Sequence, residues 1–228
     1  MAHLFTAYLV SRTSIRNSFE KGISGSFVFF ASSVLAVAQL TVPEGFVAEK
    51  IYDVPNKEQG SWISLAADQK GHIYAGSEKH GLYRFKIPAP ATTVTDVQPA
   101  FGFKAKPLGV QGLLWAFDSL YVMINNRKGK SGLFLATAGN GDGKLDAMRQ
   151  IISMRGGSGH GLHAIIPSPD GKTLTINAGN MGGLPKKIDD SRVPLVWGED
   201  LLLPRLPDAN GHASTTMAPG GWIARINP

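Results

Sequence analysis

Two histidines stand at the end of the most unusual stretch of the chain, which reads Gly156-Gly157-Ser158-Gly159-His160-Gly161-Leu162-His163. Glycines let the backbone approach a ligand closely, and an imidazole can take up a proton near neutral pH. His160 is therefore a candidate general base, and His163 is a candidate substrate contact. The same residues also fit a plain turn whose histidines satisfy backbone groups.

A long polar segment, at about residues 181–219, supplies further candidates for substrate contact, namely Arg205 and His212. Acidic pairs stand in the same segment at Asp189-Asp190 and Glu199-Asp200. Insertions in repeat folds map to loops on one face, which is often the binding face. We treat the segment as a hypothetical lid, with an ordinary solvated loop as the alternative.

One loop has part of a calcium-binding pattern. The segment Ala138–Asp146 resembles the Asp-x-Asn-x-Asp-Gly type of calcium loop, and calcium takes about six to eight oxygen ligands. However, Ala138 holds the first ligand position and Arg149 the twelfth. A glycine-rich hairpin turn is the favoured interpretation, and no metal ligand is assigned.

Three hairpin patterns must position these residues. Each is a short apolar strand, a turn built around an aspartate and a second strand, and the three span residues 63–76, 112–123 and 163–176. An aspartate in such a turn bonds its own backbone, and glycine supplies positive φ. The aspartates, Asp68, Asp118 and Asp170, lie about 50 residues apart, which is typical of one four-stranded propeller blade.

A third strand follows each hairpin, at residues 81–85, 132–135 and 221–226. With 27 glycines and 14 prolines, the sequence predicts an all-β fold, a β-propeller of which about three blades are present. Complete propellers have about 4–8 blades. We therefore expect a piece of a longer protein that is inactive alone, and unstable because its strand edges are exposed. A small open sheet or sandwich is the alternative.

The N-terminus has the pattern of a secretory signal peptide. Arg12, Arg16 and Lys21 precede the apolar run Phe27–Ala38, which ends in Ala36-Val37-Ala38. That run is too short to cross a hydrocarbon core of about 30 Å, and its end suits a signal peptidase. We predict a signal peptide over residues 1–38, a mature chain over 39–228 without a stable membrane span, and a periplasmic or secreted location. An uncleaved anchor or a buried helix is the alternative.

Composition excludes several classes of function. The chain has no cysteine, which rules out disulfides, thiolate zinc sites, a cysteine nucleophile and a C-x-x-C-H haem attachment within it. Its 23 Lys and Arg residues against 17 Asp and Glu residues give a net charge of +6. The basic residues are scattered, without the runs that bind phosphate backbones. Nucleic acid is therefore not an expected partner.

His160 is followed nine residues later by Pro169-Asp170-Gly171, which resembles the His…Pro-Asp-Gly strand of the glucose/sorbosone dehydrogenase family. Gln111-Gly112-Leu113-Leu114 is similar to a segment of that family that carries a substrate-side glutamine. Residues 42–49, 203–212 and 217–221 look like the related large exported propellers labelled membrane-bound dehydrogenases. The resemblance extends over residues 41–228.

The resemblance implies a six-bladed propeller that oxidises a sugar or small alcohol with pyrroloquinoline quinone and calcium. His160 would be its general base, Gln111 a substrate contact and a cytochrome c its electron acceptor. Gly159 departs from the family, which usually has a carboxylate or polar residue before the histidine. The quinone contacts of the family fall in later blades, so cofactor-binding residues stay unassigned. A non-catalytic periplasmic propeller that binds carbohydrate or a protein partner is the alternative.

Overall fold

The structure is a computed structural model, and it describes residues 7–8, 41–101, 107–126, 129–139, 142, 144–157, 159–185, 188 and 221–228. The apolar run and cleavage site of the predicted signal peptide lie outside these residues, as do Arg205, His212 and most of the inserted segment. None of the helices formed by the described residues is long and apolar enough to cross a membrane.

The chain divides into two compact units. The first comprises Met1–Asp53 and Ala89–Thr93. In it, β1 (Ala7–Tyr8) pairs in parallel with β2 (Ala48–Glu49), and the backbone N–H of Ala91 donates a hydrogen bond to the Glu49 carboxylate at 3.1 Å. The second unit comprises Val54–Pro88 and Val94–Pro228, and it contains the candidate residues.

The second unit begins with the one-turn helix α1 (Asn56–Gln59), and its strands then form three antiparallel sheets. The first sheet contains β3 (Trp62–Ala67), β4 (His72–Ser77), β5 (Gly81–Lys86) and β6 (Gln98–Pro99). The second contains β7 (Val110–Ala116), β8 (Ser119–Ile124), β9 (Gly132–Thr137) and β10 (Ala147–Ser153). The third contains β11 (Leu162–Pro167), β12 (Leu174–Ala178) and β13 (Trp222–Ile226). The all-β prediction is confirmed.

The aspartate turns close the first hairpin of each sheet, but in two different ways. Asp68 Oδ1 accepts hydrogen bonds from the N–H groups of Lys70 and His72, both at 2.8 Å. Asp170 Oδ1 likewise accepts from Lys172 N at 2.8 Å and Thr173 N at 2.9 Å. Asp118 instead adopts a φ of 53° after Phe117 at 49°, so positive φ makes that turn. The expected side-chain chemistry therefore holds at two of the three turns.

The second sheet lies between the other two and shares a hydrophobic core with each. In β8 the side chains alternate, as the pleat of a strand requires. Leu120 and Val122 join the core shared with the first sheet, whereas Tyr121 and Met123 join the core shared with the third. The first strands of the sheets, β3, β7 and β11, contact one another in that order. This serial packing places the starts of these strands close together.

Candidate functional site

A pocket lies at the end of the sheets where β7 and β11 begin and where β4 and β8 end. Adjacent strands of a hairpin run in opposite directions, so the start of the first strand and the end of the second share one end of the sheet. The pocket encloses about 410 Å³. Its lining residues come from the hairpins of the first and second sheets and from the glycine-rich segment before β11: Glu78, Lys79, Leu108, Gly109, Gln111, Asn125, Asn126, Gly157 and Gly159.

Three polar side chains of the lining are available for hydrogen bonds with a ligand. Glu78 and Lys79 are exposed, and Gln111 is half-buried. Their side chains make no hydrogen bond or ion pair with another described residue. A carboxylate accepts hydrogen bonds, an ammonium donates them, and an amide does both. Leu108, which is 44% exposed, adds an apolar contact surface beside them.

Hydrogen bonds fix the loops around the pocket. Gly109 N–H donates to the Glu78 carbonyl at 2.8 Å, and Asn125 N–H donates to the Gly109 carbonyl at 2.8 Å. The side-chain oxygen of Asn125 in turn accepts from Gly157 N–H at 2.7 Å. These bonds connect the β4–β5 turn, the segment before β7, the β8–β9 turn and the segment before β11. The wall of the pocket is therefore held in place without a ligand.

The glycines of residues 156–161 differ in what they do. A Cβ at Gly157 would lie 2.5 Å from the Met181 carbonyl oxygen, and a Cβ at Gly161 would lie 2.2 Å from Asn125 Oδ1. Both positions need glycine because another residue approaches the backbone closely. A Cβ at Gly159 would meet nothing within 4 Å, so that residue faces open space at the pocket.

The two candidate histidines stand on either side of the first residue of β11. His163 Nε2 lies 2.7 Å from the Gly159 carbonyl oxygen, and a carbonyl only accepts, so Nε2 carries the proton. This contact matches the interpretation of a plain turn. The carbonyl of His160, an exposed residue, accepts a hydrogen bond from Met181 N–H at 3.0 Å. Its neighbour Gly159 lines the pocket, and Gln111 also lines it; the roles proposed for these residues stay predictions.

The sequence did not single out Glu78, Lys79, Asn125 or Asn126. These residues directly follow the second strand of the first and second hairpins, so they occupy the same place in successive sheets. That repeated position is the signal that could have identified them. The corresponding residue pair of the third sheet is Gly179-Asn180, where the Asn180 side-chain oxygen is buried and has no hydrogen-bond partner among the described residues.

A second polar cluster lies around the first aspartate turn. His72 Nδ1 and Asp68 Oδ2 are 2.9 Å apart, and the Asp68 side chain is only 2% exposed. Burial raises the pKa of Asp68, but hydrogen bonds from His72 and Lys70 outweigh that effect, so the pKa is lower than usual. Burial, followed by the nearby Asp68 carboxylate, raises the pKa of Tyr74 to about 12. We interpret the cluster as support for the turn.

The described residues do not fit the cofactors that the resemblance implies. They contain no group of three or more His, Cys, Asp or Glu side chains that could hold a metal ion. In the loop with the calcium-like pattern, Gly139 N–H donates to Asp146 and Lys144 N–H donates to Asp142, as in a hairpin turn. Among the described lining residues, Lys79 is the only cation, with Glu78 beside it, whereas the quinone carries three carboxylates. We derive no step through either group, and both stay predictions.

A scan against protein-family models finds no match, and searches of curated proteins and of solved structures find no similar chain. The functional argument therefore rests on the pocket.

Proposed function

We propose that the pocket binds a small polyhydroxylated ligand, a sugar or a polyol. The carrying observation is the set of three side chains, Glu78, Lys79 and Gln111, that share the 410 Å³ pocket and make no hydrogen bond with other described residues. Adjacent hydroxyl groups both donate and accept, so they suit a carboxylate, an ammonium and an amide side by side. Leu108 would contact the C–H surface of the ligand.

The fold that we propose for this function is a β-propeller, with the three sheets as consecutive blades. In support of it, the strands of each of the first two sheets follow chain order. The first strands of successive sheets also contact each other. The pocket is then formed by equivalent loops of neighbouring blades, at the end where their first strands begin. Export to the periplasm or outside the cell is part of the proposal, on the pattern of residues 27–38.

A second candidate function is oxidation of the bound sugar or alcohol, in an exported protein like the quinone-dependent dehydrogenases. The observation that favours it is the position of His160, which is exposed and directly follows the pocket residue Gly159. An imidazole there would take the proton of a ligand hydroxyl. The resemblance implies that a quinone accepts the electrons and passes them to cytochrome c, and we derive no step through the quinone.

Titration calorimetry with a panel of aldoses and polyols tests the binding proposal. We expect one ligand class to bind, and Gln111→Ala to weaken it about 3- to 10-fold, the equivalent of one hydrogen bond. Gln98→Ala is the matched control, because Gln98 is an exposed glutamine of β6 outside the pocket. This variant should bind the ligand with the affinity of the wild type. Absence of binding to the whole panel, or equal effects of the two variants, would contradict the proposal.

The same panel separates the two functions when quinone, Ca²⁺ and an artificial electron acceptor are added. Oxidation that is lost in His160→Ala while binding persists would establish the dehydrogenase. Binding without oxidation would leave the non-catalytic function. Oxidation that survives in His160→Ala would exclude His160 as the base.

A further inference from the structure

The pocket contains a positive charge that no described carboxylate neutralises. Lys79 lines the pocket from the β4–β5 turn, directly after Glu78. The Lys79 ammonium makes no ion pair with Glu78 or with any other described residue. Hydrogen bonds from an ammonium to an ionised acceptor are about twice as strong as those between neutral groups. Lys79 is therefore a suitable contact for an anionic group of a ligand.

Hydrogen bonds set the order of the pocket wall from the β4–β5 turn to the glycine-rich segment. Gly109 N–H donates to the Glu78 carbonyl, and the Gly109 carbonyl accepts from Asn125 N–H, both at 2.8 Å. Asn125 Oδ1 then accepts from Gly157 N–H at 2.7 Å. Gln111 follows Gly109 on β7, in the sheet between the other two. The turn with the lysine therefore lies at one end of this wall, and the glycine-rich segment lies at the other.

The end formed by the glycine-rich segment offers a neutral donor instead of a charge. Gly159 lines the pocket and is exposed, and its N–H makes no hydrogen bond with a described residue. Its carbonyl oxygen is already occupied by His163 Nε2 at 2.7 Å. A backbone N–H donates well to a hydroxyl oxygen. The two ends of the pocket therefore suit different groups, an anion beside Lys79 and a hydroxyl beside Gly159.

We propose that the ligand is a sugar with one carboxylate, such as a hexuronate, an inference that rests on the proposed binding of sugars or polyols. Its carboxylate contacts Lys79, and its ring hydroxyls contact Gln111 and Glu78. The end of the sugar opposite the carboxylate then lies at Gly159, beside His160. The net charge of +6 favours the approach of an anion over that of a cation. A phosphate monoester carries a charge of about −1.5 to −2 at pH 7, which one ammonium next to Glu78 does not balance, so a carboxylate fits better.

Titration calorimetry of the 228-residue chain with matched sugars tests this class, using glucuronate against glucose and galacturonate against galactose at neutral pH. We expect at least one acid to bind about 10-fold more tightly than its neutral parent, as a charge-assisted hydrogen bond provides. Lys79→Gln should remove this preference and leave the affinity for the neutral sugar within about 3-fold, since glutamine also donates hydrogen bonds. Lys130→Gln is the matched control, because Lys130 is an exposed lysine of the β8–β9 turn outside the pocket lining, and it should keep the preference.

The outcomes separate this proposal from the binding function on which it rests. Equal affinities for each acid and its neutral parent would overturn the sugar acid and leave sugar binding intact, whereas absence of any binding would overturn both. Tighter binding of glucose 6-phosphate or glucosamine than of the acids would also overturn it, because the ligand would then be a dianion or a cation. A preference that persists in Lys79→Gln would exclude this lysine as the carboxylate contact. Binding of the neutral sugar to the same variant shows that its pocket is intact.

Discussion

At the scale of single residues, glycines of the same run have different roles in the pocket wall. Gly161 and Gly159 belong to one run, yet a Cβ would meet Asn125 Oδ1 at 2.2 Å in the first case and nothing within 4 Å in the second. The Asn125 oxygen also accepts the hydrogen bond from Gly157 N–H. A side chain at residue 161 would therefore push away the acceptor that holds residue 157.

Gly161→Ala should destabilise the protein by about 1–3 kcal/mol, as overpacking does. It should also weaken ligand binding, because the pocket wall moves. Gly159→Ala is the matched control and should change the free energy of unfolding by about 0.5 kcal/mol or less. Urea unfolding of the two variants measures the difference, and equal effects would mean that Asn125 does not fix this segment.

The sequence could indicate some site residues and could not indicate others. Gln111 and the glycine-rich run stood out by residue type and by resemblance. Glu78 and Asn125 did not, because an ordinary charged or amide residue after a strand has no distinctive pattern. Their meeting depends on which sheets pack together, and that contact is not encoded in the local sequence.

At the scale of elements, the aspartate turns differ in whether the side chain or the backbone conformation stabilises them. Asp68 holds its turn through its carboxylate, whereas Asp118 holds its turn by positive φ. The folded-state pKa of Asp68 is lower than the usual 3.8. Its contribution to stability is therefore present above the unfolded pKa, and it is lost as the pH falls through the folded pKa.

Asp68→Ala should lower the free energy of unfolding by about 1–3 kcal/mol at neutral pH, because the N–H groups of Lys70 and His72 lose a charged acceptor. The difference from the wild type should shrink as the pH falls below 3.8. Asp118→Asn should cost little at neutral pH, since asparagine also tolerates positive φ. Urea midpoints across the pH range measure both, and a pH-independent effect of Asp68→Ala would contradict this account.

The strands show where local pattern succeeds and where it fails. Short apolar strands on either side of an aspartate turn predicted the hairpins, and alternating apolar residues after a glycine predicted the third strands, including β13 after the long insertion. The fourth strands β6 and β10 were not identified individually. Gln98–Pro99 is only two residues long, and β10 has no fully buried residue, so neither carries a strong alternation. Their pairing is decided by the sheet beside them.

At the scale of the whole second unit, one strand connects both cores. Each residue of β8 from Leu120 to Ile124 is buried, and alternate residues face the first and third sheets. A strand that serves two cores should make them unfold together, because loss of either core exposes β8. The central position of the second sheet should therefore couple the unfolding of the two cores.

Leu120→Ala and Met123→Ala test this coupling, because they remove side chains of 0% exposure from the first and the second core respectively. Each should lower the free energy of unfolding by about 2–5 kcal/mol, and each should leave a single transition. Leu184→Ala, at a residue 39% exposed in a loop, should cost about 0.5 kcal/mol or less. Tryptophan fluorescence and far-ultraviolet circular dichroism should report the same midpoint in every variant. Two separate transitions in Met123→Ala would show instead that the first two sheets remain folded when the third is lost.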